Sequence, residues 1–339
     1  MDSVSDIALP HAKRSEAFAA CMLGLACLCW GAFFSLAKNW QLAAATTCPG
    51  GALVATLTLL GIRPLLALAL FAVVRPQLFR QPSRREWQLA AFLGFLNFFG
   101  NVFQVWGLSA TTPALSGFFT SMASLWVPLI AFALLRVPIA GATWLGLGLG
   151  VAGLAVLGID ASQGIRIGKG EVLTAVSSLI FAVFILCLDR FGRRVRSSNL
   201  TLGLIAMAGL PALPLAMGLS ASDPGVIVWF SWLRDVLLEP AVLRDVVLLT
   251  LFSTVIATFL MGTFQPRLPP SRAALIYLLE PVFAAIISVC MQHDEVTRRL
   301  VIGGLLILGG NALAELPAWL RQRDREAVIS PPPARPPRD

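Results

Sequence analysis

The sequence predicts an all-α integral membrane protein with ten transmembrane helices arranged as two inverted five-helix repeats. Three observations carry that expectation. Of the 339 residues, 57% are hydrophobic and only 13% are charged, with a mean hydropathy of +0.79, more apolar surface than a soluble chain of this length can hide. The apolar runs each approach the roughly 20 residues that a spanning helix needs. Finally, a constant shift of about 157 positions lays Asn97 on Thr254, Asn101 on Thr258, Pro113 on Pro270, Gly146 on Gly303 and Gly153 on Gly310. A tandem unit with an odd number of spans enters the bilayer once each way up, which puts any site between the halves.

Taken in order, the first span is read at Ala17–Lys38. Lys13 and Arg14 precede it as in a signal peptide, but the run continues past Trp30 with no small-residue cleavage site, so the helix is kept. Gly51–Val74 and Leu89–Leu108 follow, then Thr112–Leu135, which holds Pro128, and Ala140–Ile159, lined by Gly146, Gly148, Gly150 and Gly153. The second unit runs Glu171–Asp189, Leu200–Leu219, Asp245–Phe264, Ser271–Met291 with Pro281, and Arg299–Trp319 with Gly303, Gly304, Gly309 and Gly310. Helix is required because backbone polar groups in lipid must be satisfied within the segment, and the runs are too long and uniformly apolar for barrel strands. The glycines read as close helix packing. Pro128 and Pro281 read as kinks or hinges, each freeing a carbonyl.

The expected domains are therefore repeats at 17–160 and 169–319, between a cytoplasmic N-terminal segment, 1–16, and a disordered basic, Pro-rich cytoplasmic tail, 320–339. Val226–Leu238 carries Trp229, Phe230 and Trp232 beside Arg234 and Asp235. It is too short to span and reads as an interfacial helix anchored by its indoles.

A net charge of +8 and a pI near 9.8 would suit nucleic acid, but the basic residues form no stripe with interleaved aromatics, so no nucleic-acid partner is expected. They read as topology instead. A cytoplasmic N-terminus puts most of the 26 basic residues inside: Lys13, Arg14, Arg75, Arg80, Arg84, Arg85, Arg136, Arg190, Arg193, Arg194, Arg196, Arg267, Arg272, Arg321, Arg323, Arg325, Arg335 and Arg338. Both termini inside requires an even number of spans, which agrees with ten, and the membrane expected is the cytoplasmic one. Six cysteines without a CxxC pair, and histidines only at His11 and His293, point to neither a zinc site nor a disulfide framework, and no cofactor is expected.

Polar groups in a bilayer are costly and therefore informative. Asn97, Asn101 and Gln104 share one face of the third span, opposite a repeat counterpart of Thr254, Thr258 and Met261. Ser116, Thr120 and Ser124 make a stripe on the fourth span, and Tyr277, Glu280, Ala284 and Ser288 one on the ninth. Paired stripes describe a central cavity, although any single Ser or Thr also serves as interhelical glue. Arg63 and Glu280 lie well inside their spans, and each needs water, a partner or, for the carboxyl, a proton. They either pair with each other, or Glu280 with Lys38, to lock helices, or Arg63 meets an anionic substrate group while Glu280 takes part in proton coupling.

The runs CWGAFFSLAK at 29–38, FTSMASLWVP at 119–128, TWLG at 143–146 and above all PPSRAALIYLLEPVF at 269–283 resemble the EamA-type branch of the drug/metabolite transporter superfamily, over roughly 17–319. The resemblance implies a ten-helix, inverted-repeat carrier that moves small organic metabolites, often outward, by alternating access. Trp30 and Gly31 match that family's first-span Trp-Gly, Arg63 its second-span arginine, and Glu280 with Pro281 its ninth-span Glu-Pro. Glu295 fits the acid that opens the tenth-span hinge, whereas Arg136, Val137 and Pro138 stand where an Arg-Glu-Arg-Pro type sequence is common. Phe181 and Ala182 replace the Trp-Gly pair in the second half.

The expected cavity is Trp30, Arg63, Asn97, Asn101, Gln104, Thr120, Tyr277 and Glu280. Amides, hydroxyls and one cation suit a zwitterionic or weakly anionic molecule such as an amino acid. The expected partners are this small molecule and the lipid bilayer, with proton coupling and a homodimer left open. Two other classes stand beside the carrier: an intramembrane enzyme acting on a lipid or isoprenoid-linked substrate, and a non-transporting receptor or structural protein. The first would need motifs such as HExxH, GxSxG or a nucleotide loop, which the sequence lacks, and the second would not require inverted repeats or paired polar stripes.

Overall fold

The computed structural model describes residues 5–74, 83–136, 139–160, 164–165, 168–191, 197–220, 225–268 and 270–329. The expectations resting on Arg75, Arg80, Val137, Pro138, Arg193, Arg194, Arg196 and 331–339 lie outside the described residues.

The first three spans are single helices, α1 (Ser5–Ala44), α2 (Gly51–Val74) and α3 (Arg84–Leu108). A capping box sets the start of α3, Ser83 accepting from the Glu86 N–H while Glu86 reaches back. The fourth span is broken into α4 (Pro113–Ser121) and α5 (Ala123–Leu135), and the fifth is α6 (Gly141–Gly158). A two-residue antiparallel ladder, β1 (Ile159–Asp160) with β2 (Gly164–Ile165), leads to the sixth span, α7 (Lys169–Phe191). The seventh is α8 (Ser197–Gly209) and α9 (Ala212–Ser220), interrupted at Leu210 and Pro211. After α10 (Val226–Leu238), the eighth joins α11 (Pro240–Leu248), a π-helical stretch (Leu249–Ile256) and α12 (Ala257–Phe264). The ninth is α13 (Pro270–Tyr277) and α14 (Leu279–Cys290), and the tenth α15 (Arg298–Ile329). Nine stretches among the described residues are long and apolar enough to cross a membrane, and Gly141–Leu157 is a shorter apolar helix. The chain is a multi-pass membrane protein.

The first and last helices run well beyond their expected spans. Helix α1 begins at Ser5 and continues past Lys38, and α15 runs on to Ile329, so the first ten residues of the expected tail are helical. At the end of α15, a helix already nucleated in the bilayer extends at little cost through Arg, Gln and Glu residues that favour helix.

The packing shows the inversion directly. A Cβ on Gly146 would meet the Gly310 carbonyl oxygen at 2.4 Å, and one on Gly310 would meet that of Gly146 at 2.5 Å. Gly153 and Gly303 face each other in the same way, at 2.7 and 3.0 Å. Moving from Gly146 to Gly153 along α6 therefore meets α15 from Gly310 back to Gly303. Residue i touches the counterpart of j, and j that of i, which is the contact rule of a two-fold axis, and the two equivalent helices run antiparallel. Other contacts obey it: α1 lies on α14 as α7 lies on α4 and α5, while α2 meets its counterpart pair α8 and α9.

The breaks in the fourth and ninth spans, at Met122 and Leu278, also fall at nearly equivalent places. Pro281 accounts for the second, since it can neither donate to the Tyr277 carbonyl nor sit against it. Pro128 does not account for the first: α5 passes through it, six residues beyond the break. Here the backbone is compensated by side chains. Ser121 Oγ donates to Phe118 O at 2.7 Å, Ser124 Oγ to Ser121 O at 2.9 Å, and Asn311 Nδ2 from α15 to Ser121 O at 3.2 Å.

The α10 indoles do not anchor in lipid as expected. Trp229 and Trp232 are buried, donating to Thr58 Oγ1 at 3.2 Å and Thr47 Oγ1 at 3.1 Å, and it is Ile227 and Phe230 that face outward. A buried indole N–H needs a hydrogen-bond partner, and the two threonine hydroxyls supply it. All six cysteines are unpaired, and burial pushes the Cys48 thiol up to about 12.

Candidate functional site

The breaks put polar side chains at mid-bundle. Gly31 lets α1 approach α14 closely enough that a Cβ would lie 2.6 Å from Phe283 Cβ, and Gly117 of α4 faces Ala284 and Pro281 of α14. Around this crossing, the Trp30 ring lies 5.9 Å from that of Tyr277, whose hydroxyl donates to Gln265 Oε1 at 2.8 Å. Cys27 and Tyr277 stand in the field of the Glu280 carboxyl. Among the described residues Glu280 makes no hydrogen bond or ion pair. One turn beyond Gly117, Thr120 Oγ1 accepts from Gln104 Nε2 at 3.1 Å, joining the third and fourth spans.

Arg63 forms a second centre. It is buried, with its guanidinium 4.8 Å from the Phe33 ring centroid, Nη1 3.4 Å from Ser253 Oγ, and Nε without a partner among the described residues. Phe33 is three residues from Trp30 on α1, so that helix carries both centres. The two asparagines stand apart: Asn101 Nδ2 donates to Asn97 O at 2.8 Å, within its own helix. That bond is local and joins no other span.

Among the described residues neither proposed lock forms. Arg63 and Glu280 are not paired, and Lys38 Nζ instead donates to Leu108 O at the end of α3, at 3.0 Å, and to Thr111 O in the turn that follows, at 2.7 Å. Those carbonyls have no helical partner, and the helix dipole favours a cation there. Glu295 is exposed at the turn before α15.

Residues 17–159 and 168–315 each match the EamA-like transporter family. The chain belongs to that family. It is therefore an EamA-type transporter of the drug/metabolite transporter superfamily, and the two matched stretches are the two repeats seen in the fold. A solved structure described only as "Crystal structure of protein" is 23% identical, with a TM-score of 0.57, over 90% of this chain and 99% of its own. That likeness shows the fold alone. No curated protein matches the chain.

Sequence reasoning missed three features of this EamA protein. The π-helical stretch brings Ser253 to Arg63 and leaves Thr254 Oγ1 buried without a partner. Such wide turns recur at functional sites, but no residue type signals one. Asn311, next to Gly310, and Gln265, just past the eighth span, carry no pattern in the sequence that marks them.

Proposed function

We propose that this EamA transporter exports a small zwitterionic or weakly anionic metabolite, an amino acid or close relative, across the cytoplasmic membrane by alternating access. Both termini are cytoplasmic in this reading, so the Cys48 end of the bundle faces outward. One observation carries it: Arg63 and Glu280, of opposite charge and at membrane depth, are each without an ion-pair partner among the described residues. A permanent cation there is costly, and a substrate carboxylate would relieve that cost in the loaded state. Trp30 and Tyr277 supply apolar and aromatic walls, Gln104 and Thr120 further hydrogen bonds, and Glu280 the proton or the partner of a substrate ammonium.

The test is counterflow of radiolabelled amino acids in proteoliposomes. A charge-assisted bond of about 1.5–3 kcal/mol predicts that Arg63→Met weakens apparent affinity for the transported species about 10- to 100-fold. Arg63→Lys should retain part of it, because charge survives while fork geometry is lost. Unchanged kinetics in Arg63→Met protein would remove the arginine from the site. A reporter that fluoresces only in the cytoplasm, fused to the C-terminus, should be bright.

A further inference from the structure

The Cys48 end carries a charged cluster that the proposed cavity does not use. Lys38 holds the last carbonyls of α3 from one side of the α3–α4 turn. From the other side, Asp294 accepts the Ala114 N–H in the first turn of α4 at 3.0 Å, and also the Ser288 hydroxyl. The turn is thus gripped by a cation on the first span and an anion on the turn between the ninth and tenth.

His293 immediately precedes Asp294, on the turn that supplies the anionic grip. Gln292 takes a left-handed conformation, φ 61°, which turns the chain so that the His293 N–H reaches Ser288 O at 2.9 Å. The ring feels the charges of Lys38 on α1, Asp294 on its own turn and Asp245 on α11, together with the Ser35 backbone. Asp245 is itself engaged by Asn39 Nδ2 at 2.6 Å and by Arg244 at 2.8 Å, and Glu171 of α7 takes the Thr111 hydroxyl at 2.6 Å. His293 Nε2 and Ser35 Oγ are buried with no partner among the described residues.

We propose that Lys38 and Asp294 form the latch that closes the Cys48 end of the carrier, and that protonation of His293 from that side releases it. The inference rests on the transport reading and on that end facing outward. An imidazolium at this place repels Lys38 and competes with Ala114 and Ser288 for the Asp294 carboxylate. Burial first, and then the Lys38 ammonium, hold the ring below its ordinary 6.5 in the latched form. Opening hydrates the ring and restores that value, so protons bind the open form more tightly and acid draws the population toward it. Above the ordinary value the ring is neutral in both forms and the latch is unaffected.

The test places spin labels at Leu42→Cys and Val296→Cys, exposed positions on either side of the turn, in otherwise cysteine-free full-length protein in lipid nanodiscs. Between about pH 8 and pH 5 a longer interlabel distance should grow in, with a midpoint below 6.5. His293→Gln should abolish that growth, and Lys38→Met and Asp294→Asn should show the longer distance already at the alkaline end. A distance distribution that ignores pH, the same response in His293→Gln, or Lys38→Met and Asp294→Asn matching native protein at the alkaline end would each overturn the latch. No cargo is needed, so failure of the transport reading in counterflow and failure of the latch are separate results.

Discussion

Glu280 follows the break in the ninth span and is placed by Pro281, the residue after it. The proline leaves the helix unable to continue through Leu278, and the carboxyl is carried in the first turn of α14 beside Tyr277 and Cys27. A carboxyl in the first turn of a helix is favoured by the dipole, but here it is without a hydrogen-bond partner among the described residues. Its part in the proposed cycle is to take and release a proton or to hold a substrate ammonium. Glu280→Gln keeps the shape and removes both abilities. In proteoliposomes with an imposed pH gradient, the variant should lose gradient-driven uptake while the protein still melts as the native form does. Retained uptake with native gradient dependence would assign the carboxyl to packing alone.

At the scale of elements, the α6–α15 crossing is the closest approach of one helix backbone to another that the glycines define among the described residues. Hydrophobic driving force is absent between helices in lipid, so contact distance decides the stability of such a pair. A side chain at Gly146 would collide with the Gly310 backbone at 2.4 Å, whereas Gly309 has nothing within 4 Å of a would-be Cβ. Gly146→Val should therefore destabilise the detergent-solubilised protein by about 1–3 kcal/mol, and Gly309→Ala should stay within about 0.5 kcal/mol of native. Thermal unfolding followed by light scattering separates the two, and equal losses would rule out contact distance as the cause. The fourth and ninth spans make a related point. Their breaks are equivalent in place, but a proline accounts for one while in the other a serine and asparagine network satisfies the freed backbone. Repeats conserve geometry through whatever chemistry satisfies the backbone.

The whole molecule is a pseudo-two-fold bundle whose axis passes through the α6–α15 crossing. Antiparallel halves make a cross-linking prediction that parallel halves contradict. A Cβ on Gly310 would lie 3.3 Å from Leu149 Cβ, close to the separation that a disulfide spans. Leu149→Cys with Gly310→Cys should cross-link under mild oxidation in cysteine-free protein, as read by faster migration on a denaturing gel. Leu149→Cys with Gly303→Cys should not, because Gly303 lies at the other end of the crossing. The symmetry stops at the polar centres. Arg63 meets Ser253 across the halves, Gln104 meets Thr120 within one half, and Glu280 has only Ala123 as its counterpart under the repeat shift.

Span number, repeat and family were legible in the sequence because each rests on a local rule. A bilayer demands about 20 apolar residues per helix with every backbone group satisfied inside it, and the repeat is a comparison of the sequence with itself. The site was legible only as a set of residue types. Which of them meet depends on contacts between distant positions, as when Asn311 reaches Ser121 across 190 residues or Arg63 reaches Ser253 across the same separation. Asn97 and Asn101 share a face as their spacing requires, yet their hydrogen bond closes locally. A Lys38–Glu280 pair was one alternative the residue types allowed, and Lys38 is held instead by carbonyls of the α3–α4 turn. The sequence by itself determined a ten-span inverted repeat, since solvent and chain geometry dictate that much. Only the tertiary structure decided which polar groups find partners and which stay unpaired, since a partner is a matter of distance in space.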